Sequence, residues 1–231
     1  IILDLEKKIA NYCGTKYAIC TNSGTDALTL GLHLLNVKKG DEVITPTNSF
    51  IASAASIVHL GAKPVFVDVK DDQLIDPKEI EKKITKKTKA ILVVHWAGRI
   101  CEMKKIKKIA KKHNLFIVED ACHAALAKSG SEFAGNFGDI GCFSLHPLKN
   151  LNVWGDGGMI VTKNNKIAAK LKLLRNHGLI NRNEIKIFGI NSRLDTIQAV
   201  VANHLLLKLK EITKKRRSNA ELLDIGLDNI K

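Results

Sequence analysis

Lys149 is the residue in this chain best placed by its neighbours to do covalent chemistry. It ends the string Phe143-Ser144-Leu145-His146-Pro147-Leu148-Lys149, and Gly155-Asp156-Gly157-Gly158 follows it. An apolar setting disfavours the ammonium form of a lone lysine, and nearby glycines let backbone come close to a ligand. The free amine so favoured can attack a carbonyl carbon, the opening step of Schiff-base chemistry. The bland alternative is a lysine whose stem lies along apolar surface and whose head stays in water. A second group is Asn22-Ser23-Gly24-Thr25-Asp26. Ser23 with Asp26 three positions on has the form of a capping box. Gly24 opens backbone N–H groups to an anion and Thr25 adds a hydroxyl, at the positive end of a helix dipole. Capping alone accounts for the same string, and the Gly-Lys-Thr ending of a Walker loop is absent. A third group, Val118-Glu119-Asp120-Ala121, puts two carboxylates at the end of an apolar run. Neighbours on a strand point to opposite faces, so only one of the two can enter a given pocket. His123 follows closely and could be no more than a surface imidazole.

These groups sit at the joints of a strand-then-helix rhythm. Short β-branched runs at residues 17–21, 42–46, 64–69, 90–95 and 115–120 read as strands. Helical spacing fills residues 24–36, 49–60, 77–84 and 103–113 between them. Such alternation predicts an α/β fold with a mostly parallel sheet flanked by helices, its ligands beyond the carboxyl ends of the strands. After Asp120 the pattern loosens through residues 129–139, then gives strands at 140–144 and 158–162 and a helix at 165–177. Residues 181–190 read as a loop. Ser192 is expected to open a long helix to about Leu223, whose basic part, residues 208–217, leaves the main body.

Charge is the loudest compositional feature. Lys and Arg number 37 against 23 acids, a net charge of +14. Only six of the 37 are Arg, whereas nucleic-acid readers cluster Arg with aromatic residues along a groove. In Lys104–His113 the inward stripe is Ile106, Ile109 and Ala110, with the lysines facing water. A lysine-rich solvated surface that attracts anionic ligands is therefore expected, with neither nucleic acid nor membrane as partner. No apolar run approaches the roughly 20 residues that cross a bilayer. The five cysteines, Cys13, Cys20, Cys101, Cys122 and Cys142, form no C-x-x-C pair. Free buried thiols in a reducing, cytoplasmic compartment are expected, without disulfides or structural zinc. The start, Ile1-Ile2-Leu3-Asp4, has no Met, and the end, Asp228-Asn229-Ile230-Lys231, has no helix stop. The expectation is a fragment cut at both ends.

Taken together, an anion cradle, a strand-end Asp and a pocket Lys in that order resemble a pyridoxal-phosphate enzyme of the aspartate-aminotransferase fold. NSGTDAL at 22–28, GDEVITP at 40–46, VEDACHA at 118–124, GDIGCFSLHPLKNLNVWGDGG at 138–158, LRNHG at 174–178 and NSRLDTIQA at 191–199 sharpen the match. They resemble the DegT/DnrJ-type sugar aminotransferases over nearly the whole chain. The resemblance implies the fold type I large domain in residues 1–191. Residues 192–231 would begin a helix leading to a C-terminal small domain that is missing. It also implies roles. Lys149 would bond the cofactor aldehyde and later move the proton, and Asp120 would keep the pyridine nitrogen protonated. His123 would border the ring, and Phe50 would stack on it. Gly24, Thr25 and Ser144 would hold the phosphate, and Asn191 would reach the phosphate of the neighbouring subunit in a homodimer with shared active sites.

The implied reaction moves an amino group, with glutamate as donor, to a nucleotide-linked keto-sugar. The string NSRLD points to position 3 of the sugar. Departures from the family pattern are Leu145-His146 where Phe-Tyr or Phe-Phe is usual, and Asp156 in place of Glu. Trp154, His95, Trp96 and Arg99 either meet substrate or pack. Two rivals are a keto-sugar dehydratase of the same family and a non-catalytic regulator or nucleic-acid binder on this fold. The dehydratase would carry His where Lys149 stands, and the regulator rests on charge alone.

Overall fold

The computed structural model describes residues 1–228. In chain order the strands are β1 (Tyr17–Thr21), β2 (Glu42–Pro46), β3 (Lys63–Val67), β4 (Thr88–Val94), β5 (Phe116–Asp120), β6 (Lys128–Ser129), β7 (Glu132–Phe133), β8 (Ile140–Ser144), β9 (Gly158–Thr162), β10 (Leu179–Asn181) and β11 (Glu184–Ile185). The helices are α1 (Ile2–Cys13), α2 (Gly24–Leu34), α3 (Ile51–Val58), α4 (Pro77–Lys82), α5 (Met103–His113), α6 (Asn165–Leu174) and α7 (Thr196–Leu227). One seven-stranded sheet runs β1-β9-β8-β5-β4-β2-β3. β9 is antiparallel to both its neighbours, and every other pair between β8 and β3 is parallel. The predicted α/β class, with a mostly parallel sheet between helices, is the one observed.

Alternation along the strands decides what each helix covers. Val43, Leu92, Val118 and Ile140 face a core that includes Leu28 and Leu32 of α2, Ile57 of α3 and Leu171 of α6. Ile44, Ile91 and Ile117, one residue away on the same strands, face Ile80 of α4 and Ile106 of α5. A third cluster joins Leu5 and Ile9 of α1 and Ala202 and Leu206 of α7 to Phe143 and Val161 of the sheet. Burial of such a side chain is worth about 1.5–3 kcal/mol, so this pattern, more than helix propensity, fixes the register.

Several expected boundaries shift, each for a local reason. α1 was not read from the sequence, although Leu5, Ile9, Ala10 and Cys13 form its buried stripe and Gly14, at φ 65°, closes it. α7 begins at Thr196, not Ser192, because the buried Ser192 is tied into the body. Its N–H donates to the Arg175 carbonyl at 2.9 Å, and its Oγ accepts from the Asn22 N–H at 3.3 Å. α6 stops at Leu174, short of 177, because Gly178 and Ile190 donate to the carbonyls of Leu173 and Leu174. The expected loop at 181–190 contains part of a small hairpin, β10 with β11. Within α7, Leu209 is the last buried residue, and residues 214–228 stand in solvent. The final three residues of the expected fragment end lie outside the described residues. All five cysteines are free, four of them buried and Cys122 half-buried.

Candidate active site

The carboxyl ends of β1, β5 and β8 open on one cavity of about 600 Å³. Gly24, Thr25, Phe50, Asp120, His123, Ser144 and Lys149 all line it. Seven of the eight residues singled out in the sequence are thus brought together. The eighth, Asn191, is exposed and bridges to Asn176 away from this cavity.

One wall is the start of α2. The Ser23 Oγ accepts from the Asp26 N–H at 3.0 Å, an N-cap of the predicted kind, while no return bond from the Asp26 carboxylate is seen. The N–H groups of Gly24 and Thr25 find no acceptor among the described residues, which leaves two donors at the positive end of the helix. A side chain at Gly24 would come within 2.7 Å of the Ser144 Cβ, and one at Gly158 would run into the Ser23 carbonyl oxygen. The glycines therefore let the α2 start lie directly on β8 and β9, with the Thr25 and Ser144 hydroxyls at the same wall.

Lys149 is half-buried, short of the enclosed setting expected. A turn carries it: its N–H donates to the His146 carbonyl at 2.8 Å, and its carbonyl accepts from Asn152 at 3.1 Å. His146 builds that turn. Its Nδ1 accepts from the Leu148 N–H at 3.2 Å, and its own N–H donates to the Ser144 Oγ at 3.2 Å. The Lys149 amine itself makes no hydrogen bond or ion pair among the described residues.

Opposite faces of β5 separate the two acids, as strand geometry requires. Asp120 enters the cavity, where its Oδ2 accepts from the Ser53 hydroxyl at 2.7 Å and its Oδ1 from the Cys122 N–H at 3.2 Å. Glu119 is fully buried on the other face. It accepts from the N–H groups of Gly135, Phe137 and Gly138 at 2.6–2.8 Å, and its Oε2 lies 2.8 Å from the His95 Nε2. The Cys101 N–H donates to the His95 Nδ1 at 3.3 Å, which leaves Nε2 as the donor to Glu119. His95 is therefore a packing residue. Arg99 is exposed, with a single long bond to the Asp72 carbonyl, and lies off the cavity. Trp154 neither packs nor lines the cavity; it is 79% exposed. Trp96 does line it, with its ring 5.1 Å from that of His123.

Electrostatics follow from this layout. Burial, and then the Lys149 ammonium, pull His123 below the ordinary imidazole value of 6.5, with the Asp120 carboxylate opposing. The ring is neutral at neutral pH. Burial, and then the Asp120 carboxylate, push the Cys122 thiol well up, so it is a protonated wall group. Sequence reasoning missed Ser53 and Cys122. The available signal for Ser53 was a pair of serines, Ser53 and Ser56, at i and i+3 within the otherwise apolar Ile51–Val58 helix.

Anion donors at one end, a fixed carboxylate at a second wall and an unpaired amine at a third suit a phosphorylated pyridine aldehyde. The free N–H pair of α2, the glycine-made cradle beside Ser144 and the unpartnered lysine are the observations that make the fit. A solved structure from Bacillus subtilis, 37% identical with a TM-score of 0.81 over 87% of this chain and 46% of that one, holds the cofactor PMP.

Comparison with known proteins places the chain. It is 46% identical over 199 residues to UDP-N-acetyl-3-dehydro-alpha-D-glucosamine 3-aminotransferase of Acidithiobacillus ferrooxidans, a match that covers 85% of the chain and 54% of the relative. It is 43% identical to dTDP-3-amino-3,6-dideoxy-alpha-D-galactopyranose transaminase of Aneurinibacillus thermoaerophilus, covering 99% of the chain and 62% of that protein. The crystal structure of DesV from S. venezuelae superposes with a TM-score of 0.96 at 38% identity, over 100% of this chain and 62% of that one. The chain thus spans between about half and two thirds of the length of these relatives. The profile of one family matches residues 2–231. The chain belongs to the DegT/DnrJ/EryC1/StrS aminotransferase family.

Proposed function

We propose that this protein is a pyridoxal-phosphate aminotransferase that converts a nucleotide-linked keto-sugar to an amino-sugar, with glutamate as donor and position 3 as the site of amination. The observation that carries the reading is that Lys149, Asp120 and the donor end of α2 share one cavity. When bound, the cofactor supplies a carbonyl carbon and a ring that takes up the electrons of a broken C–H bond. The Gly24 and Thr25 N–H groups and the Thr25 and Ser144 hydroxyls bind the phosphate. Asp120 would accept from the ring N–H and keep that proton in place. Phe50 would cover one ring face, and His123, kept neutral by burial and the Lys149 ammonium, would border the ring without adding charge. Lys149 would hold the cofactor through its amine, and its Nζ would carry a proton from the substrate carbon and return it.

Position 3 gains support from the two relatives above, each named for a 3-amino sugar. Asn191, exposed and off its own cavity, is assigned to the phosphate of a second copy, which makes the working unit a homodimer. The exposed apolar residues Phe50 and Leu148, both at the cavity, fit the same arrangement. A smaller C-terminal domain following α7 would complete the sugar pocket. The dehydratase reading has Lys149 against it. The basic surface serves a diphosphate-bearing substrate, with no nucleic acid or membrane as partner, in the cytoplasm. Among the described residues no helix is long and apolar enough to cross a membrane.

A panel of nucleoside-diphosphate keto-sugars offered with glutamate, read out as 2-oxoglutarate, tests the assignment. Amination of a 3-keto substrate is the expected result. Release of 2-oxoglutarate with none of the panel, while the cofactor is bound, would overturn the substrate class.

A further inference from the structure

Ser53 is buried, at 1% exposure, in the first turn of α3, on the face turned toward β5. Its hydroxyl lies 2.7 Å from the Asp120 Oδ2 and 2.6 Å from the Ser49 hydroxyl, and Ser49 lines the cavity. A hydroxyl has one proton to give. Ser53 gives that proton to Asp120, so it must accept from Ser49. The bonds therefore run in one direction, from Ser49 to Ser53 to Asp120. The other carboxylate oxygen is held by the Cys122 N–H at 3.2 Å. Hydrogen bonds to both oxygens fix the plane of the carboxylate, and bonds to a charged acceptor are the stronger kind.

We infer that Ser53 is a positioning residue that acts through Asp120. Aligned by Ser49, it sets the carboxylate plane that the cofactor ring would meet. The inference rests on the function proposed above and adds residues that neither the motifs nor the family likeness assigned. Replacing Ser53 removes a bond to a carboxylate at a position 1% exposed, without touching a residue that lines the cavity.

The test uses Ser53→Ala, Ser53→Thr and Ser49→Ala beside the unsubstituted protein. The dissociation constant for pyridoxal phosphate and the pH titration of the loaded protein's visible absorbance are measured, with thermal melting as the control for folding. Ser53→Ala is expected to weaken cofactor binding roughly tenfold or more and to shift the titration midpoint. Ser53→Thr, which keeps the hydroxyl, restores both, and Ser49→Ala gives a smaller shift in the same direction. The inference is overturned if Ser53→Ala titrates and binds as the unsubstituted protein does, or if it changes melting alone. It is also overturned if Ser53→Ala does not fold and Ser49→Ala leaves both readouts unmoved. Should the unsubstituted protein itself fail to bind the cofactor, the functional proposal falls first and takes this one with it.

Discussion

At the scale of single residues, the site depends on groups held in unequal states by their surroundings. His123 is the clearest case. Burial and the Lys149 ammonium lower its pKa from the ordinary 6.5. A depressed histidine contributes stability that is fully present above its unfolded value and is lost as pH falls through the lower folded value, because the unfolded chain binds a proton the folded ring refuses. NMR titration of the His123 ring is expected to give a midpoint below that of a free histidine. In Lys149→Ala the midpoint rises, since one of the two causes is gone; an unchanged midpoint would mean that the amine and the ring do not share a cavity. Much of this layer was legible in the sequence. Asp120, Gly24 and Thr25 could be named from their places at strand and helix ends and Lys149 from its apolar, glycine-flanked stretch, while Ser144 came from the family resemblance. Ser53 could not, because its role depends on α3 crossing toward β5, a tertiary fact with no local mark beyond two serines in an apolar helix.

At the scale of elements, β5 does double duty by alternation. Asp120 serves the cavity, and Glu119 ties the loop at 135–138 to the back of the sheet through three backbone N–H groups and His95. Glu119→Gln would present an amide where several donors converge and leave buried groups unpaired. A loss of about 2–4 kcal/mol is expected in a urea titration, with little change in the chemistry of a still-folded fraction. A loss under about 0.5 kcal/mol would show that this network is incidental. The seven strands of the main sheet were legible from β-branched runs to within two residues, as were Met103–His113 and the start of α2, whereas the short hairpins β6–β7 and β10–β11 were not. The helix ends at Leu174 and Thr196 were not, because carbonyls captured from a distant loop and a buried Ser192 set them. α1 was overlooked, although its apolar stripe is regular, because it precedes the first strand and so falls outside the alternating pattern.

At the scale of the whole molecule, the net charge of +14 and the apolar residues at the cavity mouth bear on association. Phe50 is 68% and Leu148 81% exposed, a poor arrangement for a lone chain and a good one for a face covered by a second copy. Sedimentation velocity is expected to give the mass of two chains. Phe50→Lys combined with Leu148→Lys should shift the population toward one, and a single-chain species in the unsubstituted protein would remove the basis for Asn191 serving a neighbour. The account as a whole turns on the amine of Lys149. The direct measurement is borohydride reduction of the protein loaded with pyridoxal phosphate, followed by intact mass and peptide mapping. One cofactor per chain, fixed covalently on the peptide bearing Lys149 and absent in Lys149→Ala, is the predicted result. Labelling spread over surface lysines, or none at all, would contradict it.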